Sequence, residues 1–177
     1  NNAHVCVTLD TGFTNNIHPT DKEPIGIRLA LLARKYSLGE SIVADSPRFN
    51  TLTVSGNQVT IDFTDSAGLK TDDSLSPSEF EIAGSDNVFH DATSASITGG
   101  SVVISSTNVS TPVSVRYAWT PGPVNTINLV NGADLPVAPF RTDSLPLPGL
   151  AAFAPSTIDD FYEVNRDETL TVPTDGV

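Results

Sequence analysis

The residue of this sequence that is best suited to acid–base chemistry is His18, in the segment Asn15-Asn16-Ile17-His18-Pro19. An unperturbed imidazole titrates at about pH 6.5, so a histidine can take a proton from a hydroxyl group and return it to a leaving group near neutrality. The segment follows an apolar run, and α/β enzymes place catalytic groups in loops after the C-terminal ends of buried strands. We therefore interpret His18 as a candidate general base, with a solvated or purely structural loop histidine as the alternative.

Two elements must hold this loop in place. Residues 5–9 are apolar or β-branched without alternation, which predicts a strand buried on both faces. A helix is predicted to begin at Thr20 or Asp21, either of which can cap it, and Pro24 is tolerated in the first turn. The helix has an apolar stripe formed by Ile25, Leu29, Leu32 and Tyr36. Residues 1–38 therefore predict one strand–loop–helix unit of an α/β domain.

After Gly39 the pattern changes to short β-type runs separated by turn residues, with no helix predicted after Tyr36. Residues 58–63 alternate strictly between polar and apolar side chains, as in a half-buried antiparallel strand. Strands at this spacing predict a β-sandwich over residues 39–143. The predicted strands are residues 49–54, 59–63, 80–83, 102–105 and 113–119. The predicted core is Val59, Ile61, Phe63, Ile82, Val103, Val115, Tyr117 and Trp119.

The stretch from residue 120 to residue 155 is rich in proline and glycine, which predicts extended coil over the surface and then a linker at residues 144–157. The formal net charge of −12 makes nucleic acid and anionic membranes poor partners. No apolar run approaches the roughly 18 residues that span a bilayer. His4 and His90 have no partners at metal-ligand spacing, so neither a metal site nor a cofactor is predicted. Cys6 is expected to be a buried strand residue.

Six separated motifs occur in an order that resembles the C-terminal part of sialate O-acetylesterases, carbohydrate acetylesterases of the SGNH-hydrolase superfamily. Together they cover about residues 3–143. They are Thr8-Leu9-Asp10-Thr11-Gly12, Asn16-Ile17-His18-Pro19-Thr20-Asp21-Lys22, Gly26-Ile27-Arg28-Leu29-Ala30, Phe80-Glu81-Ile82-Ala83-Gly84, Val115-Arg116-Tyr117-Ala118-Trp119 and Leu135-Pro136-Val137-Ala138-Pro139-Phe140-Arg141-Thr142-Asp143.

The resemblance implies a mainly β chain in which the last strand–loop–helix unit of an SGNH-hydrolase domain precedes a β-sandwich. It also implies a serine esterase that removes O-acetyl groups from sialic acid or other glycans, with His18 as the general base. The nucleophilic serine would come from an N-terminal hydrolase portion, in the same precursor or a separate chain, because no Gly-x-Ser-x-Gly segment occurs here. Ser144 follows Thr142-Asp143, where the family's serine block has glycine and aspartate, and we interpret it as a linker residue. We expect the chain alone to be inactive.

The sequence departs from the family at the residues expected to orient the histidine. Asn16 stands two residues before His18 and Asn15 three residues before it, where these hydrolases carry aspartate. An amide oxygen can accept a hydrogen bond from the imidazole Nδ1–H, but it does not stabilise an imidazolium as a carboxylate does. A Ser–His dyad assisted by a carbonyl, an acid from elsewhere and reduced activity all remain open.

Four further residues have both a chemical and a structural interpretation. Lys22 and Arg28 match family positions, and a salt bridge or a place on the helix surface is the favoured role for them. Arg116 and Trp119 lie on one predicted strand, where they either line a sugar site or, in the case of Trp119, fill the core.

The last twenty residues resemble the opening of cadherin-like repeats of bacterial surface proteins, so residues 158–177 are expected to begin an incomplete domain. Asp159 and Asp160 are calcium ligands in one interpretation and solvated charges in the other. The expected localisation is secreted or cell-surface, extracellular or periplasmic, in a bacterium. The alternative to an esterase fragment is a non-catalytic carbohydrate-binding or adhesive β-sandwich module.

Overall fold

The computed structural model describes residues 3–12, 18, 20–119 and 126–145. The chain divides into two compact units, Asn1–Asp143 and Ser144–Val177, and only the first two residues of the second unit are described. The predicted linker beyond residue 145 and the predicted domain start at residues 158–177 lie outside the described residues. The first unit contains a short 3-10 turn, Leu9–Thr11, and one α-helix, α1, Glu23–Tyr36. None of the helices in the described ranges is long and apolar enough to cross a membrane.

Ten antiparallel strands follow the helix within the described residues, so the mainly β fold predicted from the sequence is confirmed. The strands are β1 Arg48–Ser55, β2 Gln58–Thr64, β3 Lys70–Thr71, β4 Phe80–Ala83, β5 Phe89–Asp91, β6 Ser94–Thr98, β7 Ser101–Ser105, β8 Ser114–Tyr117, β9 Leu129–Val130 and β10 Phe140–Arg141. They form a sheet in the order β1-β2-β7-β6, a second sheet in the order β10-β8-β4-β5, and the pair β3-β9. The part of the chain that the structure describes has no helix after Tyr36, as predicted.

The two four-stranded sheets pack face to face through one apolar core. In β2 the alternation of the sequence is reproduced, since Val59, Ile61 and Phe63 are buried and the residues between them are more exposed. Ile82, Val115 and Tyr117 of the second sheet belong to the same cluster of buried side chains. A sheet with alternating side chains buries one face only, and here each of the two sheets covers the other.

The prediction was wrong for two residues of the expected core, Val103 and Trp119, which are not buried. Val103 lies on the opposite face of β7 from the buried Val102 and Ile104, because a shift of one residue along a strand exchanges the two faces. Trp119 follows the end of β8 and is 37% exposed, so it does not fill the core. The other six predicted core residues are buried.

The proline-rich region after residue 125 is not surface coil, which corrects the sequence prediction for residues 126–143. Leu129 and Val137 are fully buried, and β9 and β10 pair with β3 and β8. The buried amide of Asn131 holds the intervening turn by donating to the carbonyl of Asp45 and accepting from the backbone of Leu135. Strands of two residues are too short to show a period of two, so the sequence pattern could not reveal them.

The predicted strand at residues 5–9 is also not formed. Residues 3–8 have no strand pairing, and the chain enters the 3-10 turn at Leu9. Val5 is exposed, Cys6 is half-buried and Val7 is buried. A parallel strand needs a neighbouring strand to satisfy its backbone groups, and the described residues offer none at this end.

Candidate functional site

His18 is exposed and lies between the 3-10 turn and α1. Asn15 and Asn16, the two candidates for orienting its imidazole, lie outside the described residues. The described part of the site therefore consists of His18 and the residues on either side of the loop. Those residues fix where the loop leaves the 3-10 turn and where it enters the helix.

An ion pair between Asp10 and Arg28 joins the two ends of the loop. The Arg28 Nη1 donates to Asp10 Oδ1 at 2.7 Å and Nη2 donates to Oδ2 at 2.5 Å, a bidentate geometry. Nη1 also donates to the carbonyl oxygen of Val7 at 2.9 Å. The Arg28 side chain is only 11% exposed, and its hydrogen bond to Asp10 raises the pKa of the guanidinium. The favoured salt-bridge role of Arg28 is confirmed, and its effect is to hold the helix against the segment before the loop.

A second polar network fixes the C-terminal end of α1 to the sandwich. Asp45, whose side chain is 4% exposed, accepts a hydrogen bond from Lys35 Nζ at 2.5 Å and from the Tyr36 hydroxyl at 2.8 and 2.9 Å. Arg48 at the start of β1 adds a longer contact of 3.3 Å. Burial disfavours the charged carboxylate, but these hydrogen bonds and charges outweigh it and lower the pKa of Asp45.

No sequence motif drew attention to Asp45. It lies in Ala44-Asp45-Ser46-Pro47, a stretch without periodicity, and its partners are near it only because the chain turns back after α1. The local sequence gives one hint, because Asp45 follows the apolar Ala44 and precedes Ser46-Pro47. The basic residues Lys35 and Arg48 are nearby along the chain. Such a pattern is too common to have identified the network in advance.

The described ranges contain no group of three or more histidine, cysteine, aspartate or glutamate side chains placed to hold a metal ion. Asp159 and Asp160, which are calcium ligands in one interpretation of the sequence, lie outside these ranges. Cys6 is a free thiol whose pKa is raised by burial, which makes it a weak nucleophile. The chemistry that this region can offer is proton transfer by an exposed imidazole on a loop whose flanking segments are fixed.

Comparison with solved structures gives an informative match. No family model matches the sequence, and no curated protein matches it significantly. The crystal structure of a carbohydrate acetylesterase from Xanthomonas citri matches with 39% sequence identity and a TM-score of 0.72. The match covers 77% of this chain and 31% of that chain.

The chain resembles part of a carbohydrate acetylesterase. It spans about a third of that enzyme's length, and the identity is high enough to carry more than a shared fold. The similarity to carbohydrate esterases that the sequence motifs indicated is therefore confirmed at the level of the esterase class.

The other two candidates from the sequence lie away from the loop, with Arg116 on β8 of the second sheet and Trp119 just after the end of that strand. Arg116 donates from Nε to Asp143 at 2.8 Å, and both residues are largely buried. Together with Trp119, Arg116 lines a cleft on the outer face of that sheet.

Proposed function

We propose that this chain is the histidine-bearing C-terminal part of a serine carbohydrate esterase that removes O-acetyl groups from glycans. The observation that supports it most directly is the 39% identity to a carbohydrate acetylesterase over 77% of the chain. The histidine segment, its Asp10–Arg28 brace and the sandwich motifs follow the order that the family resemblance implies. The SGNH type of the hydrolase and a secreted bacterial location belong to the same proposal.

In the proposed mechanism His18 acts as the general base of a double displacement. The imidazole takes the proton of the serine hydroxyl as the serine oxygen attacks the acetyl carbonyl carbon. The imidazolium then gives that proton to the sugar oxygen as the ester bond breaks, which leaves an acetyl-serine. His18 next takes a proton from a water molecule as the water oxygen attacks the acetyl-serine carbonyl carbon. The imidazolium then gives that proton to the serine oxygen as the acyl–oxygen bond breaks, which releases acetic acid and restores the serine and the neutral histidine. The carbonyl of Asn16 or Asn15, or an acid from another segment, would orient the imidazole.

The serine and the oxyanion hole would come from an N-terminal hydrolase portion, in the same precursor or as a separate chain. Exposed apolar side chains are available for contact with that partner, because Val5, Ile27, Leu29 and Leu38 are each more than half exposed. The esterase from Xanthomonas citri is about three times as long as the matched region, so its length accommodates such a portion.

The substrate of the proposed enzyme is an O-acetylated glycan. The resemblance to sialate O-acetylesterases makes acetylated sialic acids candidate substrates. The match to a carbohydrate acetylesterase extends the candidates to other acetylated glycans. The cadherin-like segment proposed for residues 158–177 would serve to attach the enzyme within a larger surface protein. A serine esterase of this type needs no cofactor.

The proposal is tested by comparing the chain alone with the chain joined to its N-terminal hydrolase portion. We expect no turnover of p-nitrophenyl acetate by the chain alone, because a base without a nucleophile and an oxyanion hole has little to activate. In the joined protein, His18→Ala should lower kcat by a factor of about 1,000 or more.

His4→Ala is the matched control, because His4 is also an exposed histidine of the N-terminal segment. The control variant should keep its activity. If His18→Ala keeps more than about a tenth of the wild-type kcat while circular dichroism shows an intact fold, His18 is not the base.

A further inference from the structure

A row of charged side chains crosses the outer face of the second sheet. The strand register places Asp91 of β5 opposite Glu81 of β4, Glu81 opposite Arg116 of β8, and Arg116 opposite Arg141 of β10. Directly opposed residues in a sheet point to the same face, so these four side chains lie side by side. The other face of the same strands supplies the apolar core.

Three members of this row, Asp91, Glu81 and Arg116, form the floor of a cleft of about 600 Å³. The cleft is lined by Pro77, Ser78, Glu79, Phe80, Glu81, Asp91, Ala92, Arg116 and Trp119. A volume of this size is within the range of small-molecule sites, about 300–1,000 Å³. All of its described lining residues belong to the sandwich, between residues 77 and 119 of the chain.

The aromatic wall of the cleft is Trp119, the only tryptophan of the chain. It is 37% exposed, although an indole ring gains most from burial. The guanidinium of Arg141 lies 5.5 Å from the centre of its ring, which restrains the ring from one side. A half-exposed and restrained aromatic ring beside hydrogen-bonding groups is suited to stacking on the apolar face of a sugar ring.

The charges of the lining disfavour an anionic ligand. Among the lining residues, three carboxylates, Glu79, Glu81 and Asp91, face one guanidinium, that of Arg116. The second guanidinium of the row, that of Arg141, lies beside the Trp119 ring and 3.6 Å from the Asp143 carboxylate, which offsets its charge. Arg116 is already balanced, because its Nε and Nη2 donate to the buried Asp143 at 2.8 and 3.1 Å and its guanidinium covers the ring of Phe89 at 3.7 Å. Burial raises the pKa of Glu81, and the nearby charge of Arg116 offsets this only in part.

We propose that this cleft binds a neutral sugar residue of the glycan, with Trp119 stacked on the ring and with Glu81 and Asp91 accepting hydrogen bonds from its hydroxyl groups. Carboxylates accept strong hydrogen bonds from hydroxyls, and a neutral sugar avoids the repulsion that a sialic acid carboxylate would meet here. The inference rests on the proposed function for the kind of ligand, a glycan. It narrows that proposal toward neutral acetylated glycans held at a second point on the enzyme.

The test measures binding to this chain, which needs no esterase activity. Cellohexaose, xylohexaose and mannohexaose are the neutral probes, and 3′-sialyllactose is the anionic probe. Because Trp119 is the only tryptophan, any change in tryptophan fluorescence on titration reports from the cleft itself. We expect at least one neutral probe to bind with a Kd on the order of 0.1–1 mM, and 3′-sialyllactose to bind at least about tenfold more weakly.

Variants are measured by calorimetry, since some of them lack the fluorophore. Trp119→Ala should weaken binding of the neutral probe by about tenfold or more, and Trp119→Phe should retain part of it. Glu81→Gln should reduce the preference for the neutral probe over 3′-sialyllactose. Two controls lie outside the cleft: Asp134→Asn removes an exposed carboxylate and Val54→Ala removes an exposed apolar side chain of the other sheet. Both should bind like the wild type.

Three results overturn the inference: no neutral probe binds, Trp119→Ala binds as tightly as the wild type with its fold intact, or 3′-sialyllactose binds as tightly as the best neutral probe. These outcomes are independent of His18. A cleft that binds the neutral probe while the joined protein fails the His18 test would leave a sugar-binding module without the proposed esterase. A failed cleft with a His18-dependent esterase would reject only the second sugar site.

Discussion

Replacement of Asp45 by asparagine is the most direct test of how α1 is held. The change preserves the shape of the side chain, and the amide oxygen that it introduces can still accept a hydrogen bond from the Tyr36 hydroxyl. It removes the charge that binds Lys35 at 2.5 Å and Arg48 at 3.3 Å. The free energy that fixes the C-terminal end of α1 to the sandwich should therefore decrease.

The magnitude follows from which groups lose their partner. A hydrogen bond to a charged group contributes about 1.5–3 kcal/mol, and removing one member of a buried pair costs about 3–5 kcal/mol. Here only Asp45 is deeply buried, while the side chains of Lys35 and Arg48 are 31% and 54% exposed and recover hydration when the pair is broken. We therefore expect a loss of about 2 kcal/mol, which corresponds to a roughly 30-fold change in an opening equilibrium.

Native-state hydrogen exchange followed by mass spectrometry measures this opening at α1 separately from the sandwich. At pH 7, peptides that cover α1 should exchange about 30-fold faster in Asp45→Asn, whereas those that cover β2 should change much less. Glu40→Gln is the matched control, because Glu40 pairs with Arg34 of the same helix in an exposed position. It should leave the exchange of α1 unchanged.

The pH dependence of α1 opening tests the electrostatic part of the stabilisation by Asp45. The pKa of Asp45 is lowered in the folded protein, so its contribution is fully present above the ordinary value of 3.8 and is lost as the pH falls through the folded-state pKa. The difference between wild type and Asp45→Asn should therefore be constant from about pH 5 to pH 7 and shrink below about pH 4. Equal exchange of α1 in Asp45→Asn and in Glu40→Gln at pH 7 would refute the proposed role of Asp45.

Two further substitutions test other contacts of the first unit. Arg28→Met removes the bidentate partner of Asp10 and the donor to the Val7 carbonyl. It should lower the free energy of unfolding, measured by urea denaturation, by about 2–3 kcal/mol. An unchanged denaturation midpoint would show that the Asp10–Arg28 ion pair contributes nothing to stability. Gly68→Ala should cost about 3 kcal/mol, because Gly68 has φ +73° and a Cβ there would lie 2.9 Å from the Gly132 Cα. Gly56→Ala, at φ +62° with nothing within 4 Å, should cost only about 1 kcal/mol, and equal losses at the two glycines would contradict the close approach at Gly68.

The strands that could be predicted are those whose own side chains show the burial pattern. β2 and β4 carry apolar residues at the spacing that buries one face, and both were located within a residue or two of their ends. β6, Ser94–Thr98, consists of small and polar residues and is recognisable only from its pairing with β7. β5 and β10 are too short to have a period of their own.

The functional residues also divide into those that the sequence could identify and those that depend on the folded structure. His18 and Arg28 could be selected because chemistry and motif order both point to them, and Arg28 forms the salt bridge that was favoured for it. Asp45 and the charged row of the second sheet depend on tertiary contacts, since Asp91, Glu81 and Arg116 are neighbours only through strand pairing. Sequence spacing carries no information about such neighbours, because pairing is set by turns and by the burial of the opposite face.

The contacts of α1 explain how one helix can serve two partners. The polar groups at its C-terminal end, Lys35 and Tyr36, face the sandwich through Asp45, and the Asp45 carbonyl is in turn bonded by the buried Asn131. The exposed side chains of Ile27 and Leu29 remain available to another surface. Charged networks fix orientation through directional hydrogen bonds, whereas apolar contacts supply most of the free energy of association. A helix attached to the sandwich by the first kind of contact keeps its exposed apolar side chains free for the second, so α1 can be oriented before the proposed hydrolase portion contacts it.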